Sequence, residues 1–232
     1  STPISMKKYG YKNLIEECNL KSVKIAKDAA SGKNIAVAGS VSTYGYFLKD
    51  GLENMLPSFN EHLKILSNSG VDLIILEAMS SQSEIVEALL KCSKNINLPI
   101  WLSISCVFDK NKEIYLGYDD DVKNDKPQIY ENFKESLYKF KKIHTGPILV
   151  AHSNMSVTDE AIKILKDNYN QTIGAYPNRG YFEKPKWKFI DNIQPKDYLD
   201  KAKSWKNNGA QIIGGCCGIG VEEIKAISIL KN

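Results

Sequence analysis

The chain has 232 residues, of which 43% are hydrophobic and 25% charged, an ordinary composition for a globular protein with a sizeable core. Its net charge of +4 comes from 31 basic and 27 acidic residues that are scattered along the sequence, so no cluster typical of nucleic-acid or membrane-surface binding is present. No apolar run approaches the ~20 residues of a membrane span, and no signal peptide is visible.

The cysteines argue against a secreted, disulfide-stapled scaffold. They are Cys18, Cys92, Cys106, Cys216 and Cys217. An odd number at irregular spacing favours a reducing compartment, so we expect the protein to be cytoplasmic. The sequence opens STPISMKK without an initiator methionine, and we therefore expect it to be processed or a fragment.

Short β-branched runs alternate with longer amphipathic stretches along the chain. The predicted strands are residues 34–39, 71–76, 99–105, 147–152, 171–176 and 210–215. The predicted helices are residues 11–30, 56–69, 81–93, 129–141, 158–168, 195–208 and 222–230. The strands are near-continuously apolar, which is typical of strands buried on both faces. The alternation predicts a parallel sheet with right-handed crossovers in a single domain over residues 1–232.

Two α/β architectures fit this pattern, an open doubly wound sheet and a (β/α) barrel. No G-x-G-x-x-G motif follows an early strand, so the usual marker of a dinucleotide-binding sheet is missing. About six βα units are visible, whereas a closed barrel needs eight. The polar segment 109–126 is predicted to be a surface loop whose acidic run is solvated.

The segment IIGGCCGIG, residues 212–220, places Cys216 and Cys217 between the last predicted strand and the last helix. In a β/α barrel the reactive groups gather at the C-terminal ends of strands, and the flanking glycines allow a sharp turn there. Four interpretations remain open for the pair. They are a vicinal disulfide, small-residue packing at a tight turn, a glycine-rich phosphate loop, and thiolate ligation of zinc completed by other groups.

Several strand ends resemble, in the same order, those of the homocysteine S-methyltransferases, a family of zinc-dependent (β/α)8 barrels. The matching segments are VAGSVSTYGYFLKDG (37–51), ILEAMSSQSE (75–84), PIWLSISC (99–106), GAYPNRG (174–180) and GAQIIGGCCGIG (209–220). The resemblance covers essentially the whole chain, and GGCC after the last strand is its most specific motif. It implies a TIM-type (β/α)8 barrel that lacks its first two strands here. It also implies methyl transfer from a small onium donor to homocysteine, which forms methionine.

The resemblance implies a zinc site that includes Cys216 and Cys217. The third zinc cysteine of the family ends a Gly-x-Asn-Cys segment, and this chain has His152-Ser153-Asn154-Met155 there. A thioether carries no charge and is a poor zinc ligand. Three outcomes are open: His152 supplies the third ligand, zinc binds weakly through two cysteines, or metal binding and methyl transfer are both lost.

The resemblance further implies a homocysteine pocket lined by strand-end residues. Its predicted substrate-binding residues are Ser40, Glu77, Asn154, Tyr176 and Asn178. Glu77 follows the second predicted strand, and the matching glutamate of the family receives the amino group of homocysteine. Tyr176 and Asn178 belong to a Tyr-Pro-Asn loop that lines the site near the zinc. Tyr44 and Arg179 are further candidate lining residues.

Three alternative functions remain beside zinc-dependent homocysteine methylation. The first is a zinc-free binding or regulatory domain that retains the fold. The second is a methyltransferase that acts on a different thiol or donor, and the third is a phosphate-binding barrel enzyme. We expect small-molecule partners, namely homocysteine and a methyl donor, and the scattered charge predicts neither a nucleic-acid nor a membrane partner.

Overall fold

The computed structural model describes residues 2–43, 51–118, 128–183, 186–188 and 193–231. The chain divides into two compact units, Ser1–Leu102 and Ser103–Asn232. The candidate lining residue Tyr44 and the acidic run at 119–121 lie outside the described residues. Every helix in the described part of the chain is too short or too polar to span a bilayer. The single-domain organisation expected from the sequence stays a prediction.

The first unit consists of helices with a parallel pair of strands. Its elements are α1 (Pro3–Lys8), a 3₁₀ turn (Lys12–Leu14), α2 (Ile15–Ala30), β1 (Ala38–Ser42), α3 (Leu52–Ser67), β2 (Leu73–Met79), α4 (Ser83–Ser93) and the start of β3 (Ile100–Ile104). β1 and β2 pair in parallel, with Ala38 opposite Leu73 and Ser42 opposite Glu77. Ile74 and Leu76 of β2 are fully buried, which explains the apolar run that identified this strand.

The second unit contains three further parallel strands and two antiparallel sheets, one of β4, β5 and β6 and one of β9 and β10. Its elements are β4 (Cys106–Phe108), β5 (Ile114–Tyr118), β6 (Gln128–Asn132), α5 (Phe133–Phe140), β7 (Ile148–Ala151), α6 (Met155–Asn168), β8 (Ile173–Tyr176), β9 (Tyr181–Glu183), β10 (Lys186–Lys188), α7 (Pro195–Asn207), β11 (Ala210–Ile213), α8 (Val221–Ile227) and a 3₁₀ turn (Ser228–Leu230). β7 pairs with β8 and β8 with β11, all in parallel. The C-terminal ends of these three strands therefore lie side by side.

The alternation of strands and helices predicted from the sequence is present along the chain. Within the described residues, six strands are each followed by a helix, in the pairs β1–α3, β2–α4, β3–α5, β7–α6, β8–α7 and β11–α8. The antiparallel strands β4 to β6 are inserted between β3 and α5, and the antiparallel pair β9 and β10 between β8 and α7. This count agrees with the six βα units expected from the hydrophobic pattern.

The prediction of a loop at residues 109–126 is wrong in part, because β5 lies within this segment. β4, β5 and β6 form an antiparallel sheet, and the turn between the first two is ordered by Asp109. The Asp109 carboxylate accepts hydrogen bonds from the backbone N–H groups of Asn111 (2.9 Å) and Glu113 (2.8 Å). Such a turn closes the hairpin locally.

Several predicted boundaries differ from those of the structure, and hydrogen bonds explain two of the differences. The first strand begins at Ala38 rather than at residue 34, because the N–H of Val37 is bonded to the Asp72 carboxylate (2.7 Å) and the ladder starts only after it. The helix predicted from residue 129 begins at Phe133. Asn132 is its N-cap and accepts hydrogen bonds from two backbone N–H groups of the first turn, while the residues before it pair as β6.

A buried histidine in the first unit, His62 of α3, is 2% exposed. Its Nε2 lies 3.2 Å from the Asn19 Oδ1, and its Nδ1 has no hydrogen-bond partner among the described residues. Burial lowers the pKa of His62 to about 4, because protonation would place a charge and an unpaired donor in the core.

We expect this histidine to make stability fall as the pH falls from 6.5 to 5. The unfolded chain binds a proton at His62 with a pKa near ~6.5 while the folded chain does not, so acid favours unfolding in this window. The free energy of unfolding is expected to fall by roughly 1.5 kcal/mol from this residue. Denaturant titrations of the protein and of His62→Gln at both pH values measure the difference. Equal pH slopes for the two proteins would contradict the expectation.

A candidate metal centre at the strand ends

One histidine and two cysteines come together at the C-terminal ends of β7 and β11. His152 directly follows β7, and Cys216 and Cys217 lie in the turn after β11. One ligand atom from each of the three residues lies within 4.8 Å of the other two. The Sγ atoms of the cysteines are 3.8 Å apart, and both residues are half-buried and outside any disulfide. A vicinal disulfide, which needs an S–S distance of about 2.05 Å, is therefore not formed.

The spacing of the two sulfurs fits a tetrahedral metal ion. Zinc–thiolate bonds are about 2.3 Å long, and two such ligands on a tetrahedral ion lie about 3.8 Å apart. The Sγ–Sγ distance of 3.8 Å matches this value. Two thiols with an imidazole form a ligand set that zinc accepts readily, and three protein ligands leave a fourth position for a substrate. The residues present therefore fit a zinc ion.

His152 has a backbone conformation that is uncommon for a residue other than glycine. Its φ is 47°, in the left-handed region. In the Gly-x-Asn-Cys segment of the homocysteine S-methyltransferases, the position that corresponds to His152 is glycine. Glycine adopts the left-handed conformation of this turn without strain. Left-handed geometry costs other residues roughly 1–2 kcal/mol. The left-handed conformation of His152 is therefore a strained feature of this turn.

Hydrogen bonds from neighbouring segments hold this turn in place. The Ser105 hydroxyl lies within hydrogen-bond distance of two carbonyl oxygens, those of Gly117 (2.7 Å) and His152 (2.8 Å), and the Asn178 N–H donates to the Ser153 carbonyl oxygen (2.8 Å). The Ser153 hydroxyl accepts a hydrogen bond from the Cys106 N–H (2.8 Å). Ser105 and Ser153 were not identified from the sequence, because serine after a strand carries no distinctive signal until the strand register is known.

The backbone of the cysteine turn is tied to the loop that follows β8. The Cys216 N–H donates to the Pro177 carbonyl oxygen (3.0 Å), and the Arg179 N–H donates to the Cys217 carbonyl oxygen (2.7 Å). Gly215 is required for close approach, since a Cβ there would lie 2.3 Å from the Ile219 Cγ2. Both cysteines are thereby fixed by backbone contacts that do not depend on a metal.

The electrostatics of the pair favour the neutral thiol when no metal is bound. The pKa of Cys216 is raised well above its usual range, first because its thiol donates a hydrogen bond to the Cys217 Sγ and second because it is buried. A hydrogen bond with His152 acts in the opposite direction. Metal ligation by Cys216 would therefore release a proton.

Arg179 is engaged by a buried carboxylate beside the cysteine turn. Its Nη1 lies 3.4 Å from the Glu223 Oε1, and the two side chains are 16% and 10% exposed. The other carboxylate oxygen of Glu223 accepts a hydrogen bond from the Gly220 N–H (2.9 Å) at the start of α8. The sequence carries a signal for this capping contact, a glutamate three residues after the N-cap glycine.

Three of the predicted substrate-binding residues lie at these strand ends. Asn178 is buried, and its Nδ2 is 3.4 Å from the His152 Nδ1. Tyr176 is half-buried, and its hydroxyl donates to the Ser103 Oγ. Asn154 is exposed and caps α6, since its Oδ1 accepts a hydrogen bond from the Val157 N–H (3.1 Å).

The other two predicted residues belong to the first unit. Ser40 is exposed on β1, where it is paired in register with Ile75. Glu77 is half-buried on β2 and is paired with Ser42. Their roles in binding homocysteine stay predictions.

A model of the homocysteine S-methyltransferase family matches residues 1–230 of the chain. Homocysteine S-methyltransferases 1 and 3 of Zea mays are 28% and 30% identical over 84% and 85% of the chain, which covers 62% and 59% of their lengths. The selenocysteine methyltransferase of Astragalus bisulcatus is 27% identical over 83% of the chain and 58% of its own length. The chain therefore spans 58–62% of the length of these three relatives.

Solved structures show the same fold. The metallated form of the homocysteine methyltransferase MmuM from Escherichia coli aligns with a TM-score of 0.66 and 19% identity, over 99% of this chain and 76% of that one. Its apo form aligns with a TM-score of 0.67 over 92% of this chain and 73% of that one. At this level of identity the likeness concerns the fold alone, and it confirms the α/β class with a TIM-barrel-like fold expected from the sequence.

Proposed function

The chain belongs to the homocysteine S-methyltransferase family, and from that membership we propose that it takes part in methyl transfer from a small onium donor to the thiol of homocysteine, which forms methionine. The observation that carries the proposal is the cluster of His152, Cys216 and Cys217 at adjacent strand ends. A reaction that needs a sulfur nucleophile at neutral pH is served by such a cluster when it binds a Lewis-acidic ion.

The three side chains of this cluster are the proposed zinc ligands. Zinc bound there would lower the pKa of a substrate thiol, so that the thiolate forms near pH 7. Imidazole replaces the third cysteine of the family and lowers the negative charge of the ligand set by one. The hydrogen bonds that fix the backbone at His152 and at both cysteines hold the donors in place before the ion binds.

The proposed reaction is a direct displacement at the methyl carbon. The homocysteine sulfur forms a bond to that carbon as the bond between the carbon and the onium atom breaks. The electron pair of the broken bond stays with the donor, which leaves as a neutral sulfide or amine, and the thiol proton is released to solvent. Because the reactants must be in line, their positioning by the pocket contributes much of the rate.

Methionine formation with and without metal tests the proposal. Purified protein is incubated with homocysteine and a sulfonium or quaternary ammonium donor that carries a deuterated methyl group, and labelled methionine is measured by mass spectrometry. We expect about one zinc per chain, loss of transfer after chelation, and recovery when zinc is added back. Transfer that is unchanged in metal-free protein would contradict the zinc centre, and no transfer from either donor class would contradict the reaction.

A second acceptor class is supported by one relative, which is named a selenocysteine methyltransferase. A selenol ionises more readily than a thiol, so its methylation depends less on a metal for ionisation. The same assay with a selenol acceptor separates the two cases. A ratio of selenol turnover to homocysteine turnover that exceeds the ratio of the uncatalysed reactions would assign the chain to the second class.

A further inference from the structure

The Asn178 side chain contains a buried polar atom without a partner. Asn178 is 7% exposed, and its Oδ1 has no hydrogen-bond partner among the described residues. Its Nδ2 lies 3.4 Å from the Nδ1 of His152. A buried carbonyl oxygen without a donor is unfavourable, and rotation of the amide by 180° exchanges the positions of its oxygen and nitrogen.

The amide orientation determines which nitrogen of the imidazole carries the proton. In the observed orientation the Asn178 Nδ2 donates to the His152 Nδ1, so a neutral ring carries its proton on Nε2. A ring that coordinates a metal through Nε2 must instead carry its proton on Nδ1. Two donors would then face each other, whereas the rotated amide would present Oδ1 as an acceptor.

The backbone around the amide and the ring is already fixed. The Asn178 N–H is bonded to the Ser153 carbonyl oxygen, directly after His152, and the His152 carbonyl oxygen is bonded to the Ser105 hydroxyl. Rotation of the amide about its own side-chain bond is therefore sufficient to change the hydrogen bond. No movement of either strand end is needed.

We propose that Asn178 is a positioning residue for the metal centre, whose carbonyl oxygen accepts the Nδ1–H of His152 and leaves the Nε2 lone pair for the ion. This inference rests on the proposed function, because it needs a metal at His152, Cys216 and Cys217. In this role Asn178 orients the metal ligand His152, whereas the sequence predicted that Asn178 contacts the substrate.

Cobalt titration of two variants tests the inference. Asn178→Asp keeps an acceptor and removes the donor, and Asn178→Leu removes both at similar size. Co²⁺ binding is followed by its thiolate charge-transfer and d–d absorption, and the affinity is measured by competition with a chelator. We expect the Asp variant to bind Co²⁺ at least as tightly as the parent protein, and the Leu variant to bind about 10–100-fold more weakly. Asn132→Ala, which removes the N-cap of α5, is the control and should change stability without changing affinity.

The outcomes separate this inference from the proposed function. A parent protein that gives no thiolate band with Co²⁺ overturns the metal centre and the inference together. Normal binding by the parent with equal affinity in the Leu variant overturns the inference alone, as does an Asp variant that loses affinity while it remains folded by circular dichroism. If the Leu variant fails to fold, the Co²⁺ affinity of the Asp variant alone tests the inference.

Discussion

Replacement of Cys217 with serine is expected to abolish metal binding and methyl transfer. A serine hydroxyl does not ionise near neutral pH, so the site would lose one of two thiolates. Removal of a residue that only orients a metal ligand typically lowers metal affinity by about 10–100-fold. Removal of the ligand itself should therefore lower the affinity by more than about 100-fold. Zinc content by mass spectrometry and labelled-methionine formation measure the two losses.

A matched control is available for this substitution. Cys18 of α2 is another free cysteine of the chain, it lies in the first unit, and it is not part of the metal cluster found among the described residues. Cys18→Ser should retain zinc and activity. Zinc retention by the Cys217→Ser variant at the level of this control would show that the pair does not bind the ion.

Replacement of His152 with glycine is expected to change metal binding and stability in different ways. Zinc affinity should fall by more than about 100-fold because a ligand is lost. The free energy of unfolding of the metal-free protein should change by less than about 1 kcal/mol, since relief of the left-handed strain offsets the lost packing. His152→Ala retains the strain at φ 47° and should be less stable than His152→Gly by about 1 kcal/mol.

A double variant tests whether His152 compensates for the missing third cysteine. His152→Gly with Met155→Cys restores the Gly-x-Asn-Cys segment of the family, at the junction of β7 and α6. We expect zinc affinity to return to within about tenfold of the parent protein, because the ligand set becomes three thiolates. Zinc content and chelator competition measure the recovery. A double variant that binds no more zinc than the single variant would contradict this correspondence.

The elements that could be predicted from the sequence are those whose burial produces a local pattern of apolar residues. The apolar runs of β2 and β7 mark strands buried on both faces, and the glycines around Cys216 and Cys217 mark the turn that follows β11. The antiparallel sheet of β4 to β6 was missed because its strands have only three to five residues, and β5 lies within a polar segment of the sequence. Residues 129–132 continue the hydrophobic period of α5, and only the pairing of β6 with β5 makes them a strand.

The details of the candidate site depend on long-range register. The candidate ligands His152, Cys216 and Cys217 could be chosen from their residue types. The distance between them follows from the pairing of β8 with both β7 and β11. The left-handed φ of His152 and the amide contact of Asn178 arise from hydrogen bonds between segments far apart in sequence. Such contacts produce no periodic pattern in the sequence, so they could not be predicted from it.

X-ray absorption at the zinc edge of the zinc-loaded protein measures which atoms bind the ion and at what distance. We expect two sulfur scatterers at about 2.3 Å and one imidazole nitrogen at about 2.0–2.1 Å. The His152→Gly variant should lose the nitrogen contribution. A shell without sulfur, or a protein that retains no zinc after purification and reloading, would contradict the claim that these three side chains hold a metal.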